Sequence, residues 1–261
     1  MKQGSTNDRR LQSSAPSQDR NSVVYGKTYY PDHASEAPEH LAPALKVGAT
    51  TSMQVAADLR RRILHGELVP GQRLKINEIA TLCGVSHMPV RTALQELEAE
   101  GIVELHPNRG AEIRSINAEY IRNVLDVRAG IEVMLTGQTA ALIDDAGVAE
   151  LTALVDNFEE KATTREAATM LHANFRLHNF INRLPGNSEA LRVLDRGRLL
   201  IEAIRVKYAY GGARIETIIA EHRLLLKAIA NHDVKRARDI AQTHCEGARN
   251  QLLRFLKNGD W

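Results

Sequence analysis

At 261 residues, with 43% hydrophobic and 25% charged side chains, the chain is long enough to bury two cores and sits in the ordinary globular range. Its two cysteines, Cys83 and Cys245, exclude a disulfide framework, and no apolar run reaches membrane-spanning length or follows a secretory pattern, so a cytoplasmic protein with no membrane partner is expected. Net charge is +2, and residues 51–116 balance eight Lys and Arg against eight Asp and Glu, which excludes a diffuse basic footprint. Any grip on nucleic acid there requires charges segregated in space, with Glu96, Glu98, Glu100 and Glu104 turned away from the phosphates.

Residues 1–50 are rich in Ser, Pro, Gln and Asn without a sustained apolar period, and read as a flexible arm. From Ser52, the apolar positions Val55, Leu59 and Ile63 recur every four residues and predict a helix that ends at Gly66, followed by a turn at Pro70-Gly71. Between Leu74 and Gly110 come a short helix, a Gly turn and a second helix opening at Ser86. The strands Ile102–Leu105 and Ala111–Arg114 then flank a basic tip. That order predicts a winged helix-turn-helix over 51–116. Beyond Arg114 the period is helical throughout. Breaks near Gly147, Pro185-Gly186 and Gly211-Gly212 divide residues 117–261 into about six helices. The expected fold is mainly α: a winged helix-turn-helix followed by an all-α bundle for effector binding and dimerisation.

Ser86 suits an N-cap, and Pro89 lies where a missing N–H costs nothing. Val90, Leu94 and Leu97 form an inward stripe against Ile76, Ile79 and Leu82, which leaves Ser86, His87, Met88, Arg91 and Thr92 at the exposed end. Arg91 can bond guanine or a phosphate, Ser86 and His87 can meet phosphate or base edges, and Met88 can touch a thymine methyl. The tip His106-Pro107-Asn108-Arg109-Gly110 can lay Arg109 along a minor groove or phosphate. Lys75 and Gly110 complete the candidate contact set for double-stranded DNA. The bland alternative is a tight helix corner in a domain that meets protein; the upstream helix and the wing, arriving in the right order, weigh against it.

Residues 59–110 resemble the DNA-binding domain of the GntR family of bacterial transcription regulators. The matching pieces are Leu68-Val69-Pro70-Gly71, Ile79-Ala80, Gly84-Val85-Ser86, Pro89-Val90-Arg91, Ala93-Leu94, Glu100-Gly101 and Asn108-Arg109-Gly110. His87 stands where the family usually has Arg, and Thr92 where Glu is common, which implies a shifted operator preference. The resemblance also implies a homodimer on a palindromic operator, one half-site per winged helix.

Three histidines interrupt apolar helical stripes. His222 sits among Ile215, Ile218, Ile219, Leu225, Leu226 and Ile229, and His244 among Ala237, Ile240, Ala241, Ala248, Leu252 and Phe255. Each lies 11 residues from Asp233, in a turn Asn231-His232-Asp233 between antiparallel helices, so they are level, about 16 Å from the corner at 1.5 Å per residue. On a third helix, Leu171, Asn174, Phe175, His178 and Ile181 share a face, with Asn174 and His178 one turn apart. Three imidazoles and an amide oxygen converging from three helices suit a divalent transition metal, zinc or nickel first. Each histidine taken alone reads more simply as a hydrogen-bonded core residue. His172 falls off the shared face, and His33, His40, His65, His106 and His232 lie in the arm, turns or wing. Arg128 shares a stripe with Ile121, Leu125 and Leu135. It therefore points inward and needs an acidic partner, or else clamps a bound carboxylate. Arg198 and Arg205 fall between competing stripes and are set aside.

Residues 118–250 resemble the FCD ligand-binding domain of the FadR-like branch of the same family. Leu125-Asp126-Val127-Arg128 with Glu132, the stretch from His178 to Gly186-Asn187, Glu221-His222-Arg223 and Ala241 to His244 carry the likeness. The metal-ligand set this resemblance implies falls on Asn174, His178, His222 and His244, with Asn in place of the usual Asp. Removing that negative charge lowers metal affinity and increases dependence on an anionic effector. The resulting expectation is a DNA-binding transcription regulator controlled by a small organic acid bound near a metal, with Arg128 holding a second oxygen. A metal-dependent hydrolase-like enzyme with a DNA-binding appendage is the rival; it lacks a glutamate base beside the ligands. A dimerisation scaffold without an effector is the third reading.

Overall fold

The computed structural model describes residues 1, 49–107, 109–164, 167–208 and 212–258. The arm expected over 1–50 therefore falls almost wholly outside the described residues, as does Gly211. The first helix, α1 (Thr51–Leu64), is capped by the Thr50 hydroxyl, which accepts the Met53 N–H at 3.3 Å. There follow β1 (Arg73–Leu74), α2 (Ile76–Cys83), α3 (His87–Ala99), β2 (Val103–His106) and β3 (Gly110–Ile113). The sheet order is β1-β3-β2, antiparallel throughout, with Leu105 opposite Ala111 in the wing. Strand β1 was not expected, because two residues carry no alternation from which to read a strand.

Ser86 is the N-cap of α3, as expected, but its hydroxyl makes no capping hydrogen bond. The stripe Val90, Leu94 and Leu97 is fully buried, and Ile79 packs with it; Leu82, expected beside Ile79, is 58% exposed.

Seven helices follow, one more than expected: α4 (Ala118–Leu142), α5 (Asp145–Thr164), α6 (Ala167–Arg183), α7 (Ser188–Asp195), α8 (Arg198–Tyr208), α9 (Gly212–Ala230) and α10 (Val234–Asn258). Helices α7 and α8 both fall between the expected breaks at Pro185-Gly186 and Gly211-Gly212, and no break was expected between them. The break between them is Gly197, with φ +71, which no Pro-Gly pair announces. Phe158, Leu151, Met170 and Leu177 centre a core shared by α5, α6, α9 and α10. Helix α10 runs antiparallel along α4, tied by the Arg249–Asp126 ion pair at one level and by Cys245 Sγ donating to Glu132 Oε2 at 3.5 Å at another. Leu199, Leu200 and Ala203 of α8 do not join the bundle core. They are buried in the winged-helix core with Leu59, Ile63 and Leu97.

Candidate functional site

The winged helix opens a groove between α2, the start of α3 and the wing, lined by Lys75, His87, Arg91, Arg109 and Gly110 among others. Five of the seven candidate DNA contacts thus share one concavity. Ser86 and Met88 lie outside that lining but are exposed at the mouth of α3, Met88 by 69%. Gly110 has a structural role as well: at φ +84, a Cβ there would fall on the Leu74 carbonyl oxygen, so only glycine lets β3 pass β1. Asn77 and Gln95 also line the groove and were not singled out, although Gln95 follows Arg91 by one helical turn.

The balanced charge count resolves through local pairing. On the far side of α3, Arg60 bridges Glu96 at 2.5 Å and Glu100; Glu98 accepts the Leu105 N–H, and Glu104 meets Arg114 at 3.3 Å. Asp58 and Glu67 are taken by Arg61 and Arg62. Lys75 is bonded to Glu78 at 2.7 Å. Among the described residues, Arg91 and Arg109 have no carboxylate within ion-pair distance, so the groove keeps two free guanidinium groups; Glu78, its one lining acid, is taken by Lys75, and the acids of α3 are paired on the far side.

The three histidines meet. His178 on α6, His222 on α9 and His244 on α10 have ring centroids 4.9 to 5.2 Å apart, and their donor atoms lie within 4.8 Å of one another. His178 Nε2 and His222 Nε2 are 3.3 Å apart. Two nitrogens at about 2.0–2.1 Å on one tetrahedral ion stand roughly 3.3 Å from each other, so this edge fits a metal without rearrangement. Burial, reinforced by the charge of its histidine neighbours, pushes His178 down to about 3 and His222 well below its ordinary value; both rings are neutral, as a ligand must be. His244 Nδ1 sits 2.6 Å from Glu221 Oε2, which orients the ring with Nε2 toward its partners. Glu221 is itself held low by His244 and by Arg214 at 2.9 Å, against a burial effect that would raise it. Asn174 is buried one turn from His178, and its Oδ1 has no hydrogen-bond partner among the described residues. The donor set therefore fits a divalent transition metal, with an orphaned oxygen where the fourth ligand was expected.

A cavity of about 110 Å³ opens beside the imidazoles. Arg128 lines it and has the acidic partner it needed: Glu132 at 2.8 Å, one turn along α4, with the Leu194 carbonyl accepting a second N–H. Arg198 and Arg205, set aside from the sequence, also line the cavity. Arg198 is bonded to Glu202 at 2.6 Å and lies over the Phe175 ring at 4.8 Å.

Residues 51–113 match the family described as bacterial regulatory proteins, gntR family, and residues 123–247 match the FCD domain. The chain belongs to the GntR family and carries an FCD domain. The HTH-type transcriptional regulator YdhC of Bacillus subtilis (strain 168) is 25% identical over 211 residues, which cover 79% of this chain and 93% of that protein. The gluconate operon transcriptional repressor of Bacillus licheniformis is 27% identical over 192 residues, covering 71% of this chain and 78% of the repressor. The solved structure of E. coli McbR/YncC shares the fold, with a TM-score of 0.62 at 20% identity over 80% of this chain and 98% of that one. These relatives are regulators, and this GntR-family chain is a DNA-binding transcription regulator rather than an enzyme.

In this GntR-family chain the winged-helix core and the cavity share α8. Arg198, Ile201, Glu202 and Arg205 face the cavity, while Leu199, Leu200 and Ala203 are in the winged-helix core. At the head of α8, Gly197 donates its N–H to the Glu100 carbonyl at 2.7 Å, just past the end of α3. Glu221, named from the sequence only as part of the family likeness, does stand beside the imidazoles, contrary to the expectation that no glutamate lies next to the ligands, but it is engaged by His244 and Arg214; Glu202 was missed because its neighbours Arg198 and Arg205 were set aside.

Proposed function

We propose that this regulator binds a palindromic operator as a homodimer and is controlled by a small organic acid held in the cavity beside His178, His222 and His244. The observation that carries the proposal is the convergence of three imidazoles from three helices; two of the rings, His178 and His244, line that cavity while His222 is buried behind them. Zinc or nickel would be held by these three rings with Asn174 as a further donor, and supplies, when bound, a Lewis acid that anchors a carboxylate. Arg128, already fixed by Glu132 and the Leu194 carbonyl, keeps a guanidinium at the cavity wall to take a second carboxylate oxygen. Arg91 and Arg109, with His87 and Lys75 beside them, hold the duplex; Ser86 and Met88 extend the contact at the mouth of α3. Such a regulator works in the cytoplasm, where the chromosome is. A relative named as a repressor supports repression relieved by ligand.

Control operates through linkage: an effector shifts operator affinity only as far as it prefers one arrangement of the winged helices over another. Helix α8, with one face in each compartment, is the physical route for that preference. Metal analysis of the purified chain, with thermal melts of the stripped protein in zinc, nickel and simple carboxylic acids, tests the reading. Retained or stabilising metal is expected in wild type and lost in His222→Ala and His244→Ala. A wild-type chain indifferent to both metals and to every acid overturns it.

A further inference from the structure

Helix α7 is lightly anchored for an element whose Leu191, Leu194 and Asp195 line the cavity. Both of its ends turn on left-handed glycines, Gly186 at φ +73 and Gly197 at φ +71. Of its eight residues only Ala190 and Leu194 are buried, and with Leu135 of α4 they form a cluster apart from the winged-helix core and the main bundle core. So little apolar contact gives a short helix a low opening free energy unless polar contacts add to it. Arg128 supplies one. Its Nη1 donates to the Leu194 carbonyl in the last turn of α7, where helix geometry leaves carbonyls without an N–H and the dipole favours a cation. Its Nη2 donates to Glu132 Oε1 at 2.8 Å, which fixes the guanidinium on α4.

Just beyond Leu194, the same segment meets the end of α3. The Gly197 N–H donates to the Glu100 carbonyl at 2.7 Å. The Arg196 side chain covers Gly101, where an added Cβ would lie 3.1 Å from Arg196 Cγ. Glu100 is also gripped by Arg60 of α1, whose Nε donates to its carboxylate at 3.0 Å. The last turn of α3 is thus clamped by α1 and by the α7–α8 turn, while its first turns carry His87 and Arg91 into the groove. Between the Arg128 guanidinium and α3 lie two hydrogen bonds and the short Asp195-Arg196 backbone, with no mobile side chain in the path.

We infer that Arg128 is a positioning residue for operator binding: by holding the Leu194 carbonyl it latches the α7–α8 turn on which the end of α3 is docked. With the latch open, the winged helix spends less time in the orientation that binds, and operator affinity falls by that fraction. Arg128 also lines the cavity, so an anion that draws its guanidinium inward opens the latch; this consequence, unlike the latch itself, rests on the reading of the cavity as the effector site.

The test uses the full-length chain without any acid, followed by amide hydrogen exchange and by anisotropy with an operator selected from random duplexes. Arg128→Gln should speed exchange of the α7 amides about tenfold or more while α5 and α9 stay protected. It should weaken operator binding about fivefold or more and leave affinity for an unrelated duplex unchanged, since that affinity is set by phosphate contacts. Arg128→Lys, which returns a donor, should recover most of both effects; a general loosening of the fold would instead speed exchange in α5 and α9 as well. Arg128→Met combined with Glu132→Leu opens the latch without stranding a buried carboxylate, and gives the same result if the single variant fails to fold. In wild type, with no substitution, the Gly197 amide should exchange no faster than the Glu100 amide in the last turn of α3. The inference is overturned by unchanged α7 exchange, by operator binding that holds or tightens while α7 loosens, or by a fast Gly197 amide in wild type. Each of these leaves the effector site standing, and a cavity that binds no acid leaves the latch standing.

Discussion

His178 keeps its lone pair because burial, with the neighbouring His244 adding to it, disfavours the charged ring and holds it at about 3. The unfolded chain titrates near 6.5, so between about pH 6.5 and 3 it binds a proton that the folded chain refuses, and stability falls as pH drops through that window. The slope is up to about 1.4 kcal/mol per pH unit for each such histidine. Thermal melts of the metal-stripped chain should therefore show a lower Tm at pH 5 than at pH 7.5; a flat profile would contradict the buried triad. Arg91 belongs to the opposite case, exposed and without an acidic partner among the described residues. Arg91→Ala should weaken binding to an operator selected from random duplexes by about tenfold or more, without lowering Tm. If the lost contact is to phosphate, the salt slope falls by about one. Anisotropy titrations at two salt concentrations read both quantities.

At the scale of elements, α8 is the piece with two allegiances. Its Leu200 is fully buried in the winged-helix core, while Ile201, the next residue, lines the cavity. Leu200→Ala removes apolar contact on the winged-helix side alone and should cost about 2–5 kcal/mol, depending on how far the core collapses into the space. Effector binding should survive at temperatures where the variant stays folded, while the effector's influence on operator affinity shrinks. Calorimetry for the first and anisotropy with and without effector for the second separate these; undiminished coupling would mean that the signal bypasses α8. Gly197 sharpens the same contact. At φ +71, with the Tyr120 hydroxyl 2.8 Å from any added Cβ, it lets the α7–α8 turn close against the end of α3.

For the whole molecule, the two halves of the proposal meet in a free energy. An effector that changes operator affinity by about 5- to 150-fold supplies about 1–3 kcal/mol of coupling, and by reciprocity operator DNA must change effector affinity by the same factor. Titrating the effector with and without a saturating operator duplex should return that factor, and sedimentation should give two chains per palindrome. Unequal factors would show that a further state is involved; one chain per palindrome would remove the dimer.

The winged helix was legible in the sequence because its signals are local. A Gly turn, a proline in the first turn of α3 and an apolar stripe all fall within reach of helix geometry. The histidine cluster was legible for a related reason: His222 and His244 are equidistant from one corner, so helical rise alone sets them level. What the residues could not disclose depended on packing between distant segments. Glu96 and Glu100 leave the groove because Arg60, 36 and 40 residues earlier, comes to lie against them. Arg205 and Gln251 face a shared cavity because α4 and α10 run antiparallel beside α8, a choice made by burial across the whole bundle. Sequence thus determined the kinds of element and the positions of the imidazoles along them. Tertiary structure decided which charges were left free, since ion pairing depends on distance in space and not along the chain.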